Sequence, residues 1–448
     1  MNTVTKPELT AAVEALIPQL TQWRRDFHRH AESGWVEFRT ASLVAEELDR
    51  LGYGVSVGRD VIDADSRMGV PEPEVMARAL ERARDQGAVE RWLPALAGGY
   101  TGVVAEWDTG RPGPTLAYRV DLDALDLDES SDNDHRPSRE GFASCNAGMM
   151  HACGHDGHTT IGLGLARLFV DLTPQLCGRI KLIFQPAEEG VRGARSMVEA
   201  GVLDDVDIFI ATHIGTGVAK GTVVCGHNGY LATTKLDVTF TGVPAHAGAN
   251  PEAGNNALLA AAQAALGLHA IPRHSAGASR INVGVLNAGS GRNVVPGTAT
   301  LKLETRGETS AIDAEMQRRA RNVLHGAAAM QGVEMAYSLA GEARNCEPSP
   351  ALVEFIRGHI AELPGIDTVI PIENRPSGSE DATTMMQRVR ERGGLATYMV
   401  FGTELAAGHH HQRFDFDEDV LPLAIRTLAY LALQADDPAL HRRPSETL

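Results

Sequence analysis

The chain has 448 residues, 43% of them apolar and 22% charged, a balance that reads as a globular protein with room for two or three domains. Its 58 acidic against 41 basic side chains leave a formal charge of -17, which speaks against nucleic acid or an anionic membrane as a partner. The longest apolar stretch, Leu258 to Ile271, is too short for a bilayer and is interrupted by Gln263 and His269.

Glu8 and Glu14 occupy the region where a signal peptide needs an apolar core, and five cysteines, an odd number, suit reduced thiols. A cytoplasmic location is the expectation. Thr10 to Leu51 reads as helices, the last of them, Trp35 to Leu51, ending at Gly52 as a C-cap. Asp60 to Gly98 is charged and helical in pattern, and reads as a surface insertion without chemistry. Thr115 to Val120 is a short strand stopped at Asp121. The run Asp121 to Glu129 is acid-rich and reads mostly as a solvated loop, with Asp121 alone kept as a metal-proximal residue supporting the ligands. Arg179 to Gln185 is a second strand, stopped by Pro186, and Val206 to Thr212 a third. Each strand delivers polar chemistry at its carboxyl end: Asp121, the pair Glu188 and Glu189, and His213. That edge of an open α/β sheet is where ligands bind.

The pattern changes near Thr233. Strands at Lys235 to Thr241, Ser279 to Leu286, Thr298 to Thr305 and Val333 to Leu339 alternate with helices at Asn255 to Ile271 and Ala311 to Gln331. The order β-α-β-β-α-β is that of a ferredoxin-like unit. A helix at Asp381 to Arg392, a strand at Ala396 to Phe401 and a helix at Asp419 to Gln434 then resume the first pattern. The predicted architecture is an α/β catalytic domain made of residues 1–230 and 344–448, with residues 231–343 inserted as a lid or dimerisation domain.

The densest chemistry lies in Met150-His151-Ala152-Cys153-Gly154-His155-Asp156-Gly157-His158, followed by Glu188-Glu189 and His213. A single buried Cys is usually a small hydrophobe and a single His usually a hydrogen-bonding group. Clustered with carboxylates they are the donor set of a transition metal. His151 and His158 are ligands or supports with equal standing. Carboxylates at a helix start are common for electrostatic reasons alone. The doubled Glu, however, permits a division of labour in which Glu189 binds metal and Glu188 moves the proton. Gly408-His409-His410-His411 is expected to send one histidine to the same metal. The loops around His246 and Asn293, with Arg306 at a strand end, suit a mobile lid that binds a carboxylate and a developing oxyanion.

Longer blocks carry a resemblance: Trp23 to His28, Ala31 to Thr40, Gly141 to Gly157, Lys181 to Gly190, Gly378 to Thr383 and Phe401 to Glu418. Together they resemble the metallo-amidohydrolase and aminoacylase superfamily, which also holds the folate-cleaving glutamate carboxypeptidases. The resemblance implies two divalent metal ions, with Mn2+ expected and Zn2+ the alternative. It implies a bridging Cys153, with His155 and Glu189 completing one metal and His213 and His410 the other, His410 standing four residues before Phe414. Glu188 matches the general base. His246, Asn293 and Arg306 match lid residues that grip the scissile carbonyl and the substrate carboxylate. The glutamate carboxypeptidases have a His two residues before an Asp where this chain has Arg119-Val120-Asp121, and His155 is expected to replace that ligand. The implied reaction is cleavage of p-aminobenzoyl-glutamate into p-aminobenzoate and glutamate. The rivals are an N-acyl or indole-acetyl amino acid substrate, or a non-catalytic partner subunit on the same scaffold. The implied assembly is a homo-oligomer, or a hetero-oligomer with a related B subunit.

Overall fold

The computed structural model describes residues 4–440. Its strands are β1 (Gly54–Val57), β2 (Val103–Asp108), β3 (Thr115–Asp121), β4 (Arg179–Gln185), β5 (Ile208–Ile214), β6 (Thr222–His227), β7 (Ala232–Thr241), β8 (Ser279–Ala288), β9 (Thr298–Gly307), β10 (Glu334–Ala343), β11 (Thr368–Glu373) and β12 (Leu395–Phe401). Eight form one sheet in the order β1-β2-β4-β3-β5-β12-β6-β11, and four form another in the order β10-β7-β9-β8. In the large sheet β4, β3, β5 and β12 run parallel, while β2 and β6 flank this group antiparallel to it. Every residue of β3 and β5 is buried, because helices cover both faces of the parallel centre. That explains why these strands read as continuous runs and not as alternating ones.

The parallel centre points four carboxyl ends the same way. The helix His155–Leu172 packs behind them, nearly all of it buried. Its three glycines, Gly157, Gly162 and Gly164, lower helix propensity by about 1 kcal/mol each and hide the helix from a propensity reading. The strands β1, β2, β6 and β11 and the helix Pro350–Ile360 likewise lie outside the sequence-predicted elements. The predicted helix at Trp35 begins only at Phe38, because Trp35 sits at φ 69° with its indole donating to the Met68 carbonyl.

Two sequence expectations need correction. The acidic run is only half solvated: Asp123 and Glu129 turn inward onto backbone amides and histidines, whereas Asp126 and Asp128 face out. The stretch 60–98 is more than a surface excursion. Its Met68, Ala79, Ala83, Leu93 and Leu96 are buried, Gly69 accepts from Arg192, and Gln86 binds Asn146 ahead of the Cys153 loop.

The small sheet is antiparallel throughout, with the helices Ala257–His269 and Ser310–Gln331 packed on one face. Leu236, Val238 and Phe240 of β7 point into those helices and share a core with Leu301, Leu303, Ala264 and Leu324. Period-two alternation therefore puts Lys235, Asp237 and Thr239 on the helix-free face. Gly341 of β10 lies opposite Lys235, and a Cβ there would strike the Gly190 carbonyl oxygen. Absence of a side chain lets this sheet rest directly on the turn that follows Glu188 and Glu189.

Candidate active site

Cys153 leaves the chain just before the helix His155–Leu172, and Gly154 joins them at φ 94°. A residue with a Cβ would be strained in that left-handed conformation. The turn brings Cys153, His155 and Glu189 together, and Cys153 also meets His213 and His409; within each group the donor atoms lie within 4.8 Å of one another. Cys153 Sγ is 3.4 Å from His213 Nε2 and 3.6 Å from His409 Nδ1. His410 Nε2 lies 3.4 Å from Glu189 Oε1.

Hydrogen bonds sort the histidines by which nitrogen keeps a lone pair. His155 Nδ1 donates to the Asp123 carbonyl at 2.8 Å, leaving Nε2 buried and without a partner. His213 Nδ1 donates to the Ile214 carbonyl at 2.7 Å, leaving Nε2 for the site. Glu189 Oε1 is also buried and makes no hydrogen bond, with only His410 Nε2 facing it at 3.4 Å. These orphaned acceptors, beside a thiol, fit divalent cations well. His158 is spent differently: Nδ1 binds Asp121 Oδ1 at 2.6 Å and Nε2 accepts from the Ile214 amide. His409 Nε2 accepts from the Thr216 amide, so its Nδ1 carries the proton and donates toward Cys153. His151 is buried with neither nitrogen partnered, and burial pushes its pKa down to about 4.

The doubled glutamate is clamped from beneath. Asp123 accepts the Glu188 amide on one oxygen and the Glu189 amide on the other, at 3.0 and 2.9 Å. Glu37 accepts the Ala187 amide at 2.8 Å, and burial with the nearby Asp123 charge raises its pKa to about 8. Ala187 at φ 52° and His410 at φ 62° are both left-handed. Strain of roughly 1–3 kcal/mol per residue is tolerated where the surroundings hold a functional geometry. Glu188, Glu380 and Asp381 form a separate, wholly acidic buried group. Glu380 is fully engaged by Arg119 and the Tyr398 hydroxyl, and Asp381 by the Gly193 and Ala194 amides and Gln185. Neither is a free ligand. Burial first, then the charges of Glu380 and Glu189, hold the Glu188 carboxyl well above its ordinary range, so it is a strong base when ionised.

Asp121, expected near the metal, is bonded to His158 and Arg119 and lies 3.8 Å from His155 Nε2. Burial opposes ionisation of its carboxyl, but the charges of His155, His158 and Arg119 hold the pKa well below normal. Cys153 is pushed up by burial and by Glu189, a trend a bound cation reverses. His410 is raised to about 10 by its closeness to the Cys153 thiol and the Glu189 carboxylate. Sequence reasoning gave Asp123 and Glu37 no role and passed over His409 in favour of His410. The D-x-D spacing of Asp121 and Asp123 at a strand end was the available signal for the first.

The predicted lid residues stand apart. His246 and Asn293 are exposed neighbours: the Ala247 amide donates to the Asn293 carbonyl, and His246 pairs with Val294. His246 Nδ1 accepts from its own loop at Gly248 and Ala249. Neither residue bonds to the cluster. Arg306 lies at the other end of β9, bonded to Glu304 and, at 3.4 Å, to Ser379 Oγ.

A mixed sheet whose parallel centre gathers thiol, imidazole and carboxylate donors beside a buried glutamate has the layout of a metal-dependent hydrolase. The chain belongs to the peptidase family M20/M25/M40, whose model matches residues 117–434. It is 62% identical to the indole-3-acetyl-aspartic acid hydrolase of Enterobacter agglomerans, over 95% of this chain and 98% of that protein. It is 60% identical to the A subunit of the p-aminobenzoyl-glutamate hydrolase of Escherichia coli (strain K12), again covering 95% and 98%. The crystal structure of the aminobenzoyl-glutamate utilization protein from Klebsiella pneumoniae matches with a TM-score of 0.84 at 57% identity, covering 95% of this chain and 98% of that one. The chain is accordingly a metal-dependent amidohydrolase. Among the described residues no helix is long and apolar enough to cross a membrane.

Proposed function

We propose that this enzyme hydrolyses the amide of p-aminobenzoyl-glutamate to p-aminobenzoate and glutamate. The observation that carries the reading is the pairing of a buried proton acceptor, Glu188, with adjacent metal donors, in a chain so similar to a hydrolase named for that substrate. A second reading, an indole-acetyl-aspartate amide, has the comparable support of the 62% relative. Both substrates join an aromatic acyl group to a dicarboxylic amino acid.

Cys153, His155, Glu189, His213 and His410 are the residues proposed to hold two divalent ions. The thiolate and three imidazoles suit Zn2+, the carboxylate admits Mn2+, and the family likeness favours Mn2+. Bound metal would supply Lewis acidity toward the amide carbonyl and acidify water. Glu188 removes a proton from the attacking water and returns it to the leaving amine. Asp123 holds both glutamate amides and so fixes the direction of that carboxylate. His246 and Asn293 are assigned to the carbonyl oxygen and Arg306 to the substrate carboxylate.

Residues 231–343 are proposed as a ferredoxin-like lid and dimerisation domain on a catalytic body of residues 1–230 and 344–448. The strand order β10-β7-β9-β8 and the separate core favour this division. Seven of the ten exposed large apolar side chains, among them Leu259, Leu266, Val285 and Leu286, lie in that segment, which favours an oligomer contact there. The contact is with a second copy or with a related B subunit. The five free cysteines accord with the cytoplasm.

Release of glutamate and p-aminobenzoate, measured on purified protein reconstituted with Mn2+ or Zn2+, tests the reading. Turnover is expected with the wild type. Glu188→Gln should retain metal and fold and lose about 100- to 10,000-fold in rate. Near wild-type turnover in that variant removes Glu188 as the base.

A further inference from the structure

The sheet face above the Glu188-Glu189 turn carries a cation with no structural task. Thr233 pairs with Arg306 and Lys235 with Glu304 across β7 and β9, so the four side chains share the helix-free face. On its other side Lys235 stands opposite Gly341, the residue whose missing side chain lets the sheet rest on Gly190. The ammonium is thus carried beside the turn that holds the base. Glu304, the obvious partner, is already used: Arg306 Nε binds one of its oxygens at 2.8 Å and Nη2 the other at 3.1 Å. Lys235 is half-buried and makes no hydrogen bond or ion pair with any described residue. Desolvating an ammonium without a partner is costly, and a partner arriving with the substrate removes that cost.

We propose that Lys235 recognises the side-chain carboxylate of a dicarboxylic amino acid in the substrate, and so makes the enzyme selective for acyl-glutamate or acyl-aspartate over their neutral amides. The assignment rests on the proposed acyl-amino acid substrate. At this end of the face Arg306 and Lys235 give two cations against one carboxylate, Glu304, while Asp237 further along pairs with Lys302. The two cations leave a net positive charge for an incoming anion. Burial lowers the Lys235 pKa while Glu304, Glu188 and Glu189 oppose the shift, in keeping with a position between the sheet and the catalytic carboxylates. Arg306, bonded to Ser379, remains the candidate for the α-carboxylate.

The experiment compares p-aminobenzoyl-L-glutamate with p-aminobenzoyl-L-glutamine, which differ only in that charge. kcat/KM is measured for the metal-loaded wild type and for Lys235→Met, Lys235→Gln and Lys235→Arg. The wild type should prefer the glutamate compound. Lys235→Met and Lys235→Gln should each cut that preference about ten- to a hundred-fold, mainly through KM, as expected for a lost charge-assisted hydrogen bond. Lys235→Arg should keep most of it. An unchanged preference in a folded, metal-loaded Lys235→Gln protein overturns the assignment, as does a wild type without preference. Calorimetric titration with L-glutamate and L-glutamine reads the same discrimination without turnover. If the wild type cleaves neither amide, the proposed reaction fails. Loss of glutamate-over-glutamine binding in Lys235→Gln would still support Lys235, and unaltered binding would overturn it.

Discussion

At the scale of single residues, hydrogen bonding separates the histidines proposed as metal donors from neighbours that look identical in sequence. His409 and His410 are adjacent, yet one nitrogen of His409 is consumed by the Thr216 amide. His410 is held in a left-handed conformation with Nε2 directed toward Glu189. His410→Ala should therefore lower the metal content of the reconstituted protein, and His409→Gln should leave it near the wild-type value. Elemental analysis after dialysis checks both. The reverse result would transfer the ligand role to His409. The expectation of His410 rested only on the family block ending at Phe414, since side-chain chemistry does not distinguish three consecutive histidines. Which histidine nitrogen keeps its lone pair depends on carbonyls and amides of remote strands.

At the scale of elements, a charged layer beneath the site ties the second helix, Ile17–Arg29, to the helix His155–Leu172. His28 lies fully buried between Asp156, at 2.8 Å, and Glu129, at 2.9 Å. Burial would lower its pKa, but the hydrogen bonds it donates to Asp156 and Glu129 prevail and raise it to about 9. A folded pKa above the unfolded value of about 6.5 stabilises the protein fully below pH 6.5, and that contribution is lost as pH rises through about 9. The amount is on the order of 3 kcal/mol, from the linkage between the two pKa values. Thermal unfolding of the wild type between pH 6.5 and 9.5 should show this decline, and His28→Gln should be less stable at pH 6.5 with a flatter profile. Parallel profiles for the two proteins would assign the pH dependence elsewhere. The strands at Thr115, Arg179 and Ser279 were visible as apolar runs or alternation. The helix His155–Leu172 was not, because its glycines serve close packing at the expense of propensity.

At the scale of the whole molecule, the chain passes into the small sheet by β7 and returns by β10, two neighbouring strands. Arg306 and Lys235 sit at the near end of that sheet. His246 follows the far end of β7, about 30 Å along a strand of this length. That separation favours delivery of His246 to the active site of a second copy. Mixing Glu188→Gln with His246→Ala, each inactive alone, should restore activity once subunits exchange, because one mixed site pairs an intact base with an intact His246. Mixtures that exchange subunits and stay inactive would place His246 in its own chain's site or outside catalysis.

Residue type and hydrophobic period were enough to read the chemistry: thiol, imidazole and doubled carboxylate at the ends of apolar runs, and the β-α-β-β-α-β order of the middle segment. These are local properties, present before any segment meets another. How the groups are used was settled only by packing. Asp123 became a clamp on two amides and not a solvated acid, Glu380 and Asp381 were drawn onto Arg119, and Lys235 was left without the partner its own strand pairing would provide. Each outcome depends on which buried donors and acceptors remain after distant segments pack. Burial makes an unpaired polar group costly, so the fold pairs most of its buried polar atoms, and those left open on His155 and Glu189 are the ones proposed for metal.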